Sequence, residues 1–335
     1  IHTASMKKHK LLGGDVDLGN LAANTKNYSG AEIEGVSKSA ASYAMNRHVD
    51  AKNPTKPVDP SKIKVMRDDF ALALNEIKPA FGVSEDQFAS CATNGIIHYG
   101  PRFARVQATG QRFIKQMLES SRTRILTVGI CGAPGSGKTA LAASLAISSG
   151  VPYVKLITPE ALVGCNERVK VDKIAKVFED AYKSKFSVIV VDDIERLLDY
   201  VGIGPRFSNV VLQALLVLFK KIPPKGRRLC ILATTSALET LNQLEFAGVF
   251  HATIQMPSVR GGEEVQKVLK ELGGFEDDEL AQIAVAFNDM IPIKKLINIA
   301  EMAKQQAKEQ GGATMRHFMQ CMGDYGYNLA SAGRP

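Results

Sequence analysis

The chain has 335 residues, of which 45% are apolar and 23% are charged, and its formal net charge is +8. This composition is that of an ordinary globular protein with about two or three domains, and no apolar run approaches the roughly twenty residues of a membrane-spanning helix. The positive balance favours anionic partners such as nucleotides or acidic proteins, and its diffuse spread does not indicate a nucleic-acid surface.

The cysteines are widely spaced and odd in number: Cys91, Cys131, Cys165, Cys230 and Cys321. This pattern predicts buried free thiols in a reducing compartment rather than a disulfide framework or a zinc site. No signal peptide is recognised, and the first residue is Ile1 rather than methionine. We therefore expect a fragment whose beginning lies upstream.

Residues 1–50 are predicted to form a helical module. The opening "IHTASMKKHKLL" has helical character, and Ser29 followed by Glu32 is a capping-box pattern. The residues after this pattern recur at the spacing of one helix face; they are Ile33, Val36, Ala40 and Tyr43.

Residues 51–95 are predicted to be a linker with a short helix. The stretch 51–66 carries three prolines, which are typical of connecting segments. The helix is expected to run from Arg67 to about Glu76, with "KPAFG" ending it.

Residues 96–258 alternate apolar strand-like runs with amphipathic helical stretches. The predicted strands are 126–131, 152–156, 188–191, 229–234 and 252–255. The predicted helices are 137–149, 168–183 and 206–221. Continuous apolar strands separated by helices predict an α/β domain whose parallel sheet is covered on both faces. Residues 259–335 are predicted to be all-helical, and the end of this tail, "CMGDYGYNLASAGRP" at 321–335, is expected to be frayed.

The stretch "GAPGSGKT", residues 132–139, fits G-x-x-x-x-G-K-S/T between a predicted strand and a predicted helix. Its glycines allow backbone N–H groups to turn toward phosphate oxygens, and the helix N-terminus adds partial positive charge. We expect Lys138 to contact the outer phosphates and Thr139 to join a Mg²⁺ shell. A glycine-rich turn with an incidental lysine is the alternative. The predicted nucleotide-binding residues here are Gly132, Ala133, Pro134, Gly135, Ser136, Gly137, Lys138, Thr139 and Ala140.

The stretch "SVIVVDDIERLL" places two acids after a buried strand. Asp192 would lie at the carboxyl end of that strand, where ligands bind in such sheets, and would hold Mg²⁺ through water. Asp193 would face the attacking water. The alternative for Asp193 is that it only caps the following helix.

These motifs, the "ILATTS" strand and the helical tail resemble an AAA ATPase module, a P-loop NTPase fold with all-helical lid subdomains. "DDIERLLDYVGIGPRFSNVVLQALLVLFKKIPPKGRR" resembles the second module of vesicle-fusion members of that family, "DVDLGNLAANTKNYSGAEIEGV" resembles the lid of their first module, and "EIKPAFG" and "NGIIHYG" match the segment between. The resemblance implies a preceding module's lid at 1–50, a linker at 51–95, the nucleotide-binding core at 96–258 and a second lid at 259–335.

The resemblance also implies roles for residues outside the P-loop. Ile97 and Tyr99 would border the adenine, although simple core packing is the alternative. Ser236, together with Thr235, ends the strand where a polar sensor of the γ-phosphate is found in the family, and strand-end hydroxyls are also common elsewhere.

Three basic residues match positions that the family uses for phosphate. Lys294 lies where the nucleotide-sensing lysine of the lid is expected. Lys220 and Arg228 match residues associated with phosphate contacts at the boundary between ring subunits. A solvated surface charge is the alternative for each of the three.

The sequence departs from active family members in three places. "NQLEFAGVFHATIQMP" holds no arginine that could serve as an arginine finger. Leu162 and Val163 stand where an aromatic pore-loop residue is expected, and Asp193 stands where the family has glutamate. An aspartate carboxylate stops about 1.5 Å short of the glutamate position, and general-base help is worth about 10²–10⁴ in rate. We therefore expect Asp193 to be a weak base in a module that holds ATP tightly and hydrolyses it slowly.

The resemblance implies an ATP- and Mg²⁺-dependent cytoplasmic homo-hexamer needed for vesicle-mediated protein transport. It would act on SNARE complexes through a SNAP adaptor, with contacts mainly upstream of this chain and membrane association only through partners. Three alternatives stay open: a fully active unfoldase that hydrolyses ATP in this module, a nucleic-acid remodeller of the wider AAA+ class, and an interaction scaffold that has lost nucleotide.

Overall fold

The structure of the chain is a computed structural model that describes most of its residues. The described residues are 6, 11–25, 28–48, 63–77, 79, 88, 90–91, 95–120, 122–202, 206–307 and 314–327. Most of the predicted opening helix and of the proline-containing linker lies outside them. The chain divides into two units, Ile1–Gly82 and Val83–Pro335.

The first unit contains three described helices, α1 (Leu18–Asn24), α2 (Gly30–His48) and α3 (Arg67–Glu76). The predicted capping box precedes α2: the Ser29 N–H donates to Glu32 Oε2 at 2.6 Å, and the Glu32 N–H donates to Ser29 Oγ at 3.3 Å. One apolar cluster packs α2 against α3 and against the segment just before α3. Its members are Val36, Ala40, Ala44, Val65, Phe70 and Ala73. The short helix predicted within the linker therefore belongs to the core of this unit.

The second unit is built on a five-stranded parallel sheet in the order β2-β3-β4-β1-β5. The strands are β1 (Ile125–Cys131), β2 (Tyr153–Ile157), β3 (Phe186–Val191), β4 (Arg228–Thr235) and β5 (Ala252–Gln255). Each predicted strand is present, with bounds that differ by at most two residues. The four apolar residues 188–191 are fully buried, as expected for a central strand covered on both faces.

The strand register fixes where a site can form. Val191 of β3 lies opposite Ala233 of β4, and Cys131 of β1 lies opposite Thr235 of β4. The carboxyl ends of these three strands therefore meet at one edge of the sheet, which is the edge where ligands bind in open α/β sheets.

Helices flank the sheet: α4 (Pro101–Glu119), α5 (Lys138–Ser148), α6 (Glu167–Ala181), α7 (Ile194–Leu197), α8 (Asn209–Lys220) and α9 (Leu238–Gln243). The predictions for α5 and α6 are confirmed within a few residues. Helix α8 begins later than predicted, because the Ser208 side chain caps it by accepting from the Val211 N–H at 3.2 Å.

The last part of the second unit is mainly helical. Its helices are α10 (Gly261–Leu272), α11 (Asp277–Ala286), α12 (Ile293–Ala307) and α13 (Met315–Asp324). The prediction missed a small antiparallel sheet of β6 (Val259–Arg260) and β7 (Met290–Ile291). The prediction of fraying from Cys321 was wrong as far as Asp324, because Phe318, Cys321 and Met322 anchor α13 in the core.

All five cysteines are free thiols. Burial raises the pKa of the Cys131 thiol to about 11 and that of the Cys230 thiol to about 12, which keeps both protonated at neutral pH. Within the described ranges, none of the helices combines the length and apolar character needed to cross a bilayer.

Candidate functional site

A cavity of about 800 Å³ opens at the edge where β1, β3 and β4 end; we call it the strand-end cavity. Five groups of residues that are distant in sequence line it. They include 95–97 with Tyr99, the P-loop residues 134–140, Asp193 with Glu195 and Arg196, Ser236, and Ile293 with Lys294. The cavity thus collects most of the predicted nucleotide-binding residues.

The P-loop backbone depends on its glycines. Gly137 precedes α5 with φ of 90°, a left-handed conformation that side chains disfavour. A Cβ added at Gly132 would lie 2.9 Å from the Met256 carbonyl oxygen. The loop can therefore stay close to β5 while it leaves the first N–H groups of α5 without helical partners.

Lys138 is 5% exposed at the start of α5. Its Nζ donates to the carbonyl oxygens of Gly132 and Ala133 at 3.1 and 3.0 Å, although neither of these residues lines the cavity itself. Burial lowers the pKa of the Lys138 ammonium, and nearby carboxylates, with Asp193 first, oppose that shift. The result is a desolvated cation at the mouth of the loop, which an anion would stabilise.

Two threonines hold Asp192 in place. The hydroxyls of Thr139 and Thr234 both donate to Asp192 Oδ1 at 2.7 Å, and Thr234 Oγ1 accepts from the Asp193 N–H at 2.9 Å. The structure thus brings the predicted metal pair, Thr139 and Asp192, into contact. Thr234 was missed by the sequence analysis, which looked for the polar sensor one and two residues further along "ILATTS".

Asp193 occupies the position before α7 in a left-handed conformation, with φ of 45° and ψ of 63°. Its carboxylate makes no capping hydrogen bond, lines the cavity and lies 3.6 Å from Arg196 Nε. Burial and then the charges of Asp192 and Glu195 raise the pKa of the Asp193 carboxyl. Asp193 therefore stands at the N-cap position of α7, but its side chain does not cap the helix.

Glu195, which the sequence analysis did not single out, lies beside these acids. Its Oε1 accepts from the Ser236 N–H at 2.8 Å. Its Oε2 is buried and has no hydrogen-bond partner in the part of the chain that the structure describes. The only signal in the sequence is its position two residues after Asp193.

The remaining predicted cavity residues divide between packing and lining. Ile97 is 5% exposed, and Tyr99 is fully buried with its hydroxyl donating to the Pro257 carbonyl at 2.8 Å; both line the cavity and also belong to the core. Burial raises the pKa of the Tyr99 hydroxyl. Lys294 lines the cavity beside the P-loop, and its N–H donates to the Gly135 carbonyl at 3.0 Å.

The other predicted site residues differ in whether they line the cavity. Ser236 is exposed and lines the cavity, whereas Thr235 is buried and its hydroxyl accepts from the Ala237 N–H at 3.0 Å. Lys220 and Arg228 do not line the cavity. Lys220 is exposed in the last turn of α8.

Arg228 is engaged within its own chain. It begins β4, at the opposite edge of the sheet, and its guanidinium donates to the carbonyls of Met117 and Leu118 at the end of α4. The same group lies over the Phe186 ring, 5.2 Å from its centre. A cation at a helix C-terminus is stabilised by the helix dipole. The contact of Arg228 with phosphates at a subunit boundary stays a prediction.

The loop after β2 bears Leu162 and Val163, which stand where an aromatic pore-loop residue is expected. Leu162 ends a short 3-10 turn, Glu160–Leu162, and is 5% exposed, whereas Val163 is 79% exposed. Only one small apolar side chain of the pair therefore faces solvent.

The residues of the cavity fit a nucleoside triphosphate with Mg²⁺. Thr139 and Asp192 offer oxygen ligands, and Ser136 Oγ is buried without a partner among the described residues. No group of three or more His, Cys, Asp or Glu side chains within the described ranges is arranged to hold a metal alone. In nucleotide sites Mg²⁺ usually binds through one or two protein oxygens together with waters and phosphates.

Two family models match the chain. Residues 128–258 match the ATPase family associated with various cellular activities (AAA), and residues 15–57 match the AAA+ lid domain.

Curated relatives match almost the whole chain. A vesicle-fusing ATPase of Dictyostelium discoideum is 48% identical over 326 residues, which cover 97% of this chain and 44% of the relative. A vesicle-fusing ATPase of Arabidopsis thaliana is 44% identical, covering 97% and 45%. The vesicular-fusion protein SEC18 of Saccharomyces cerevisiae is 41% identical, covering 91% and 41%. The chain thus spans less than half the length of these relatives.

Proposed function

Because the chain belongs to the AAA family of ATPases, we propose that it is the ATP-retaining portion of a vesicle-fusing ATPase. It binds ATP with Mg²⁺ in the strand-end cavity and hydrolyses it slowly. The observation that carries this proposal is the contact between Thr139 and Asp192, at 2.7 Å beside the buried Lys138. These three residues supply the metal ligands and the cation that a bound triphosphate needs.

We assign the parts of the chain by the same family relation. Residues 1–50 are the lid of a preceding ATPase module, 51–95 are a linker, 96–258 are the nucleotide-binding core and 259–335 are the second lid. The match of residues 15–57 to the AAA+ lid supports the first assignment. In the second lid, Lys294 beside Gly135 supports a nucleotide-sensing role, and Ile97 with Tyr99 supports an adenine pocket.

Slow hydrolysis follows from what the module lacks. The position after Asp192 carries Asp193 instead of a glutamate, and its short carboxylate lies close to Arg196. Residues 242–257 contain no arginine that could act as an arginine finger. An arginine finger in trans is worth roughly 10³–10⁵ in rate in related NTPases. Val163 alone gives the loop after β2 little surface with which to grip a polypeptide.

Retained ATP stabilises the assembled state. Binding contributes about 4 kcal/mol at roughly a thousandfold excess of ATP over its dissociation constant. We assign Lys220, exposed at the end of α8, as the basic residue that reaches the phosphates of a neighbouring subunit in a homo-hexamer. The complete protein then acts in the cytoplasm on SNARE complexes through a SNAP adaptor, with force generated in the preceding module.

One observation favours the alternative, a module that turns over ATP vigorously. Glu195 brings a longer carboxylate to the same cavity. A steady-state ATPase assay on the 335-residue chain separates the two functions. A turnover number near the enzyme median of about 10 s⁻¹ supports the active module, and one below about 0.1 s⁻¹ supports retention.

Removal of Mg²⁺ should weaken ATP binding at least tenfold. Asp192, Asp193 and Glu195 bring three carboxylates close to Lys138, and a bound Mg²⁺ would offset their repulsion of the phosphates. Equilibrium dialysis with labelled ATP, in EDTA and in excess Mg²⁺, measures the change. Re-addition of Mg²⁺ to the EDTA sample is the control and should restore the affinity; equal affinities in both buffers would contradict the metal assignment.

A further inference from the structure

Glu195 lines the strand-end cavity and has one buried carboxylate oxygen without a partner in the part of the chain that the structure describes. Glu195 uses Oε1 to accept from the Ser236 N–H at 2.8 Å, whereas Oε2 is buried and has no partner among the described residues. Leaving a buried charged acceptor unsatisfied costs free energy, and native structures contain few such groups. This oxygen is therefore positioned to accept a hydrogen bond from a molecule in the cavity.

The backbone around Glu195 is fixed from two sides. Ile194 and Leu197 of α7 are buried at 0% and 1% exposure, which anchors the helix to the sheet. The Asp193 N–H is held by Thr234, and Glu195 itself is held by Ser236. Both partners lie at the end of β4, so the free oxygen has a set position relative to the P-loop strand and to Asp192.

Asp193 is less well placed for the same task. Its carboxylate is 34% exposed and lies 3.6 Å from Arg196 Nε, and its side chain is one methylene shorter than that of a glutamate. Glu195 lines the same cavity as Lys138 and Thr139, which are the residues assigned to the phosphates and the metal.

We propose that Glu195, rather than Asp193, is the carboxylate that orients the attacking water in this cavity. The inference deepens the proposed function and rests on it. In the reaction, the water oxygen forms a bond to the γ-phosphorus, and the bond from that phosphorus to the bridging oxygen breaks, leaving its electron pair on ADP. The water proton passes to Glu195 Oε2 and from there to the released inorganic phosphate.

The test compares matched variants of the whole 335-residue chain. Glu195→Gln keeps a carbonyl oxygen for the Ser236 N–H and replaces the free acceptor by a donor. Asp193→Asn makes the same change at the competing position, and Glu239→Gln does so at an exposed position of α9 outside the cavity. Equilibrium dialysis gives the ATP dissociation constant, and single-turnover hydrolysis of γ-labelled ATP, followed over hours with protein in excess, gives the rate.

Glu195→Gln should slow single-turnover hydrolysis at least tenfold, since general-base help is worth about 10²–10⁴, while the dissociation constant changes by less than about threefold. Asp193→Asn should slow it less, and Glu239→Gln should match the parent chain. This separation of rate from binding would not arise from a purely structural role.

Three results would overturn the inference. They are a Glu195→Gln rate within twofold of the parent, a weakening of ATP binding with an unchanged rate for bound ATP, and a parent rate no higher than that of Lys138→Ala. All three leave ATP retention standing. A parent chain that binds no ATP in dialysis would overturn the proposed function together with this inference, so the two failures are distinguishable.

Discussion

Replacement of Lys138 by alanine should abolish ATP retention by this chain. The Lys138 ammonium is desolvated, and its Nζ lies over the P-loop carbonyls at 3.0 and 3.1 Å. Removing one partner of a buried, hydrogen-bonded charge pair costs about 2–5 kcal/mol, so the dissociation constant for ATP with Mg²⁺ should rise at least about thirtyfold. Isothermal titration of both proteins measures this difference.

The same variant tests whether nucleotide stabilises the assembly. If retained ATP links subunits as proposed, the parent chain should form hexamers with ATP and Lys138→Ala should not, as measured by sedimentation velocity. Lys176→Ala is the matched control, because Lys176 is exposed on α6 and lies outside the cavity. Intact hexamers in Lys138→Ala, or an affinity within about threefold of the parent, would contradict the proposal.

Replacement of Gly262 by alanine should destabilise the second unit strongly. Gly262 is buried in the first turn of α10, and an added Cβ would lie 1.7 Å from the Ala284 carbonyl oxygen and 2.4 Å from its carbonyl carbon. These are backbone atoms of α11 and cannot rotate away, so the two helices must separate. Overpacking costs about 1–3 kcal/mol and occasionally more; we expect at least the upper end, with Tm lower by about 6 °C or more.

Gly323→Ala is the matched control for this change. Gly323 also lies in a helix, α13, but an added Cβ there would meet nothing within 4 Å. Alanine is favoured over glycine in a helix by roughly 1 kcal/mol, so this variant should melt at or slightly above the parent temperature. Calorimetric scans in which both variants melt alike would show that α10 and α11 do not approach each other as closely as described.

The sheet could be predicted because its strands are continuous apolar runs. Val188–Val191 and their neighbours in β4 are buried, and such runs have few alternatives to a covered parallel strand. Helix α4 was not predicted, and Gly110 near its middle is one reason. A Cβ there would lie 2.4 Å from Leu145 Cδ1, so the close packing of α4 on α5 favours a residue that disfavours a helix locally.

The site was predictable where one short motif contains it. Lys138 and Thr139 follow from the P-loop pattern, and Asp192 follows from its position after a buried strand. The hydrogen bonds of Thr234 and Glu195 join residues 42 and 41 positions apart in the sequence. They depend on the strand order, which brings the end of β4 beside the end of β3, and no local pattern encodes that neighbourhood.

The order of the strands also places the end of β4 in contact with both parts of the phosphate site. Strand β4 lies between β3, which precedes the acids, and β1, which precedes the P-loop. A displacement of its end would alter the distances to Asp193 and Glu195 on one side and to Cys131 on the other, because hydrogen bonds and register tie it to both. If the proposed hydrolysis moved the end of β4, the change would therefore reach the acids after β3 and the strand before the P-loop together.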